Sequence, residues 1–365
     1  MLLPQYYYPV FLYSIILMSV FQFFELQNLT QKQLLSLKKN RVGMYVYCIA
    51  FIIIVGMRPI SGYFGDTINY AQYYYAYQRG LAIYDSDSSE WLFNWLMAMS
   101  SQVMDVHGFF LIIEILYIIP MLLACKHLCP QNTSLSMLFC MGAFSFFTYG
   151  TNGIRNGMAC SLIILAFTYI NGTTKDKFIT AILCFCAYHV HHSTALPILC
   201  MLISYFYKNT RVVLTFWILS ILISLVAGAF LENFFAGLGF DDRLNDYITN
   251  DEFDDQFSST GFRWDFLLYS FMPILLGYYL VVKRNIYDSN YLLLLHTYIL
   301  CNSFWVMLIR ASFSNRFAYL SWFMYPIVLA YPLLKLPIWN AQGKKTGFIL
   351  LGHTMFTYLM WLIKG

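Results

Sequence analysis

Charge is scarce in this sequence: 11% of its 365 residues are Asp, Glu, Lys or Arg, against 59% that are hydrophobic. Soluble globular chains carry roughly 25% charged residues, so a water-exposed surface on this scale is excluded, and a soluble enzyme with it. No polar stretch is long enough to form a separate soluble domain. Lys and Arg are absent before the first apolar run, Tyr6 to Phe24, and no small-residue cleavage site follows it. That run is therefore expected to be a retained helix and not a signal peptide. Metal-binding patterns are also missing. Cys48, Cys140, Cys160, Cys184, Cys186, Cys200 and Cys301 lie inside apolar runs as small hydrophobes, and Cys125 and Cys129 are spaced too loosely for a metal site. There is no EF-hand spacing among the acids, no internal repeat, and no matched pair of Gly/Pro-interrupted helices of the transporter kind. No metal, no other cofactor and no nucleic-acid partner is expected.

What the chain does have is apolar runs of spanning length. At about 20 residues per crossing, they predict an all-α, polytopic transmembrane helical bundle. It has about twelve spans, at 6–24, 42–57, 109–125, 133–149, 154–170, 176–190, 193–207, 212–230, 264–282, 291–309, 316–334 and 346–363. Residues 91–104 are apolar but short, carry Asn94, Ser100, Ser101 and Gln102, and open with Trp91 and Trp95. They are expected to lie in the interface. Residues 1–365 then form a single integral membrane domain with two long outer segments, 58–108 and 231–263.

This parity puts Lys32, Lys38, Lys39, Lys126, Lys175, Lys177, Lys208, Lys283, Lys335, Lys344 and Lys345 on one side, which the positive-inside rule makes cytoplasmic. Both termini then face outward. The outer side is poor in Lys but holds Arg58, Arg79, Arg155, Arg243, Arg263, Arg310 and Arg316. Arginine is suited to gripping phosphate or carboxylate with a planar, permanently charged fork. An anionic ligand is expected there, although pairing with nearby acids is favoured for Arg79 and Arg243.

The first outer segment carries Gly65-Asp66-Thr67, then Tyr70, Tyr73, Tyr74, Tyr75 and Tyr77, then Asp85, Asp87 and Glu90. The tyrosines suit either sugar stacking or the membrane interface. The second outer segment is acidic and reads as a solvated loop. Between them, Phe178 to Tyr207 is an apolar run interrupted by His189-Val190-His191-His192-Ser193. The flanking basic residues predict a short hairpin whose polar turn is recessed, and such a turn needs water or protein partners. Arg58, Asp66, Arg155, the histidine turn, Arg263 with Asp265, and Arg310 with Arg316 are all expected at outer helix ends. Ionisable groups recessed in a membrane are costly enough to imply a function. Arg155 opens an apolar helix, where free N–H groups and the side chain together can hold phosphate. Glu114, in mid-helix, is expected to be a neutral, hydrogen-bonded carboxyl or part of a cavity.

The run Gly56-Met57-Arg58, then Gly65-Asp66-Thr67 with Tyr70 and Tyr74, Gly153-Ile154-Arg155-Asn156-Gly157-Met158-Ala159, His192-Ser193-Thr194-Ala195-Leu196 and Asn315-Arg316-Phe317 resembles the EpsG family of Wzy-type polysaccharide polymerases. The family more often has Arg-Gln where this chain has Arg155-Asn156. The resemblance implies a GT-C-like membrane glycosyltransferase of a bacterial cytoplasmic (inner) membrane. Its action would be metal-independent transfer of a growing glycan from undecaprenyl diphosphate to an incoming lipid-linked repeat unit on the extracytoplasmic face. The product would be O-antigen, capsule or exopolysaccharide, and a chain-length regulator is a possible partner. Asp66 or His192 is expected as base, Arg155, Arg310 and Arg316 as diphosphate ligands, and Tyr70 and Tyr74 as sugar contacts, with Arg58, Arg263 and Asp265 behind them. An O-antigen ligase or a lipid-linked oligosaccharide flippase are the alternatives.

Overall fold

A computed structural model describes residues 2–36, 41–237, 261–310 and 314–364. The acidic stretch Asp241 to Asp255, Arg243, Lys38 and Lys39 lie outside them. Among the described residues every regular element is a helix. Among the described residues six helices are long and apolar enough to cross a membrane: Pro4–Leu26, Val106–Leu128, Thr210–Gly228, Trp264–Lys283, Arg316–Lys335 and Gln342–Ile363. Val42–Gly56, Ile154–Ala166 and His192–Phe206 are apolar but shorter. Trp91–Val103, the expected interfacial helix, has 13 residues and so rises only about 20 Å, less than a hydrocarbon core of about 30 Å.

The expected span at 133–149 differs from prediction. It is two short helices, Thr133–Met141 and Phe146–Thr151. Breaking a helix frees carbonyls that lipid cannot satisfy, and here neighbouring side chains satisfy them. Thr357 Oγ1 donates to Gly142 O at 2.7 Å, His353 Nε2 lies 2.9 Å from Phe139 O, and Tyr117 donates to Phe146 O at 2.9 Å. Hydropathy registers an unbroken run because none of these donors is local.

By its packing the chain falls into two compact units, residues 1–192 with 330–365, and residues 193–329. In the first unit the connections gather at two ends. At one end Asn132 donates to Leu34 O and Leu334 O, Gln31 N–H donates to Asn340 O, and Arg41 donates to Pro130 O. The rings of His127 and Tyr169 meet there at 5.2 Å. The described parts of the lysine-bearing connections 25–41, 126–132, 171–177 and 335–345 thus share an end, as their charge parity implied. The opposite end collects the tail of Val42–Gly56, the heads of Thr67–Gln78, Trp91–Val103 and Ile154–Ala166, and the tail of Thr174–Val190.

The second unit is laced by buried polar bonds, which in lipid hold helices together where apolar surface alone discriminates poorly. Trp217 donates to Asn302 at 2.8 Å, Asn302 to Ser321 at 3.1 Å, Trp322 to Ser270 Oγ at 2.7 Å, and Tyr298 to Ser270 O at 2.8 Å.

Candidate active site

The far end of the first unit is organised around two buried acidic side chains, Glu114 and Glu90. The inner one is Glu114, wholly buried in Val106–Leu128 and 3.3 Å from Arg58 Nη1. Arg58 is itself 0% exposed. Its other donors go to Val55 O at 2.9 Å, Thr151 O at 3.2 Å and Thr67 Oγ1 at 3.3 Å, and its guanidinium lies 4.5 Å from the Phe110 ring. A charge buried in lipid must be paired and hydrogen-bonded to be tolerated, and Arg58 spends its fork on four helices. It braces the site, and no face of it is open to a ligand.

This brace carries the first two sequence motifs. Thr67 Oγ1 donates to Thr151 O at 3.0 Å, and the Asp66 N–H donates to Asn152 Oδ1 at 2.8 Å. Gly65 adopts φ +57°, and a Cβ there would sit 2.3 Å from Asn152 Oδ1. Only glycine permits both the left-handed backbone and that approach. Gly157 is needed for closeness alone, since its Cβ would lie 2.5 Å from Tyr149 O. Asn152 and Thr151 immediately precede Gly153-Ile154-Arg155, so the first motif positions the start of the arginine helix.

The outer carboxylate is Glu90, at the N-cap of Trp91–Val103, with a side chain 10% exposed. Its Oε2 forms an ion pair with Arg155 Nη1. Its Oε1 lies 2.5 Å from His191 Nδ1 and 3.3 Å from His192 Nδ1. Arg155 Nε donates to the Tyr70 hydroxyl at 3.3 Å, and the guanidinium lies 5.7 Å from the Tyr70 ring and 5.8 Å from the Phe93 ring. Among the described residues these bonds engage Nε and Nη1 and not Nη2. Burial alone would raise the Glu90 pKa, but the contacts of His191 and His192 and the charge of Arg155 outweigh it and hold the carboxyl well below the usual range. Glu90 therefore stays ionised. Burial raises the Tyr70 phenol, against the lowering influence of Arg155.

The histidine turn takes its shape from where the helix stops. Thr174–Val190 starts at a capping box of Thr173 and Asp176 and ends at His191, which is extended at φ −153°, ψ 106°. His192–Thr194 follow as one 3-10 turn. The reversal sets His191 and His192 side by side, their rings 5.9 Å apart. His189, two residues before His191, packs instead against Phe185 at 4.4 Å and Trp91 at 5.3 Å.

The EpsG family matches residues 44–365. The chain belongs to that family. No curated protein and no solved structure matches it. EpsG membership implies a glycosyltransferase-type polysaccharide polymerase in general terms, and the EpsG-like motifs picked out by sequence mostly lie at this end of the first unit. Arg155 and His192 are brought together, with Glu90 between them. Asp66 is half-buried, accepts from Asn69 at 3.1 Å, and reaches the cluster electrostatically through Tyr70. Tyr74, expected as a sugar contact, is 0% exposed, and its hydroxyl reaches Ser100 O at 3.0 Å and Met104 O at 2.7 Å. It ties two helices together and leaves no ring face for a sugar. Tyr70 is buried under Arg155 and serves as its support.

The remaining candidates belong to the second unit. Arg263 and Asp265 form a bidentate pair at 2.9 and 2.6 Å, with the guanidinium 3.9 Å from the Phe266 ring. Arg310 is exposed and faces the Phe262 ring at 5.9 Å, and Arg316 starts the helix that ends at Trp322. Sequence reading missed Glu90, grouping it with Asp85 and Asp87 as an outer acid. Its place directly before Trp91 is no capping signal, since its side chain makes no hydrogen bond to the start of that helix.

Proposed function

We propose that the chain polymerises lipid-linked oligosaccharide repeat units on the extracytoplasmic face of a bacterial cytoplasmic membrane, as a metal-independent, GT-C-like glycosyltransferase of about twelve spans with its lysine-rich end in the cytoplasm. The observation that supports this most is the Glu90 carboxylate held between Arg155 and the paired imidazoles of His191 and His192. In this reading the anion-binding fork and the proton acceptor share one support.

In the proposed step an acceptor hydroxyl attacks C1 of the sugar at the reducing end of the growing glycan. His192 takes the hydroxyl proton as the new C1–O bond forms, and the bond from C1 to the diphosphate oxygen breaks. Undecaprenyl diphosphate departs with the bonding electron pair. Glu90 orients the imidazole and balances the positive charge that develops on it, as a buried carboxylate does for histidine in hydrolases. The Nδ1 of His192 is buried against Glu90 while the side chain is 38% exposed. Arg155 Nη2 meets the leaving diphosphate, where preorganised donors act on charge that grows in the transition state. Arg310 and Arg316 are assigned phosphate oxygens on their chemistry alone.

The test supplies purified protein with synthetic diphosphate-linked repeat units already in one leaflet. A ladder of polymer is expected. Movement of units across the bilayer without joining would instead make the protein a flippase, and transfer only to a lipid A-core acceptor would make it a ligase.

A further inference from the structure

Glu90 Oε1, His191 Nδ1 and His192 Nδ1 offer one ligand atom each, all within 4.8 Å of one another. Around a tetrahedral zinc with bonds of about 2.0–2.2 Å, ligand atoms sit about 3.2–3.6 Å apart, so a small adjustment of two side chains would enclose an ion. Two imidazoles and one carboxylate suit a borderline divalent cation such as Zn2+, whereas Mg2+ and Ca2+ prefer sets made wholly of oxygen. The sequence conceals this set, because His191 lies 101 positions after Glu90.

We infer that Glu90, His191 and His192 form a Zn2+ site whose filling switches the proposed polymerase off. The inhibitory half of this inference rests on the function proposed above; the binding half does not. Two features of the geometry make the filled state inactive. Metal bound at Nδ1 fixes the remaining proton on Nε2, so the nitrogen proposed to take the hydroxyl proton becomes a donor and cannot accept it. The cation also takes up the charge of Glu90 and repels Arg155, whose Nη1 holds the other oxygen of the same carboxylate. Zinc and the Glu90–Arg155 pair therefore oppose each other.

The test uses the full chain in nanodiscs, stripped of metal and titrated with Zn2+. One ion per chain is expected. His191→Ala and His192→Ala should each weaken binding by on the order of tenfold or more, while Arg155→Gln should tighten it by freeing the carboxylate. The variants also separate this site from the nine cysteines, which they leave unchanged. Ladder formation should persist in chelator, fall as the single site fills, and return on chelation. Binding that is unchanged in the His191→Ala/His192→Ala double variant would overturn the site, and activation of stripped protein by Zn2+ would overturn the inhibitory role. Zinc binding with this variant pattern in a protein that forms no ladder would uphold the site while removing the polymerase reading.

Discussion

Replacing Glu90 by Gln tests the site at its centre. Gln has the length and volume of Glu, so packing at the start of Trp91–Val103 is kept. Its amide oxygen still accepts one hydrogen bond, but its nitrogen then faces either Arg155 or the histidines, donor against donor. Removing one partner of a fully buried pair costs about 3–5 kcal/mol. The Arg155 side chain is 27% exposed, and water takes up part of that loss, so a stability cost of about 1–3 kcal/mol is expected. The catalytic cost is larger. An oriented general base contributes about 10²–10⁴-fold, and the variant should slow chain growth by about that factor, or about 3–5 kcal/mol of barrier. The assay is ladder formation from diphosphate-linked units below the melting temperature, with folding checked by monodisperse elution in detergent. Asp66→Asn serves as the contrast and should be much milder, because Asp66 touches neither Arg155 nor the imidazoles. A folded Glu90→Gln protein growing chains within about threefold of the parent rate, where the expected base contribution is lost, would refute the reasoning; a greater loss from Asp66→Asn would move the base to that residue.

Arg155→Lys keeps the charge but cannot reach Tyr70 and Glu90 together while offering a further donor. Rates at saturating substrate should fall tens- to several-hundred-fold, equivalent to about 2–4 kcal/mol, and near-parental rates would remove Arg155 from the diphosphate. For sidedness, single cysteines at Ser86 and Ser36, both exposed, are placed in a cysteine-free chain. An impermeant thiol reagent should label the first from outside intact cells and spare the second, and the reverse pattern would invert the topology. Stability should also respond to acid through Glu90, whose folded pKa lies below its ordinary value of 4.5. The group's contribution is fully present above about pH 4.5 and is lost as pH falls towards the folded pKa. The melting-temperature gap between parent and Glu90→Gln should therefore shrink as pH falls below about 4.5, and a gap that stays unchanged from about pH 5 to about pH 3 would contradict a depressed carboxyl.

The membrane class, the helical architecture and the grouping of the lysine-bearing connections of the first unit were legible in the sequence. Each depends on composition or on local order: the shortage of charge forbids a wetted surface, run length measures crossings, and parity sorts loops. The motif residues Gly65, Arg155 and His192 were legible too, because a glycine beside an acid or an arginine opening an apolar helix is unusual wherever it occurs. Other features depend on partners distant in the chain. The break at Gly142 is tolerated because Thr357 and His353, more than 200 residues away, reach its carbonyls. Arg58 looked like a ligand for an anion until Glu114, Thr151 and Thr67 were seen to use its fork. Glu90 had no distinguishing mark among the outer acids. Its role depends on the helix end that carries Arg155 and the hairpin that reverses at His191 being brought to one point, and tertiary packing alone sets that distance.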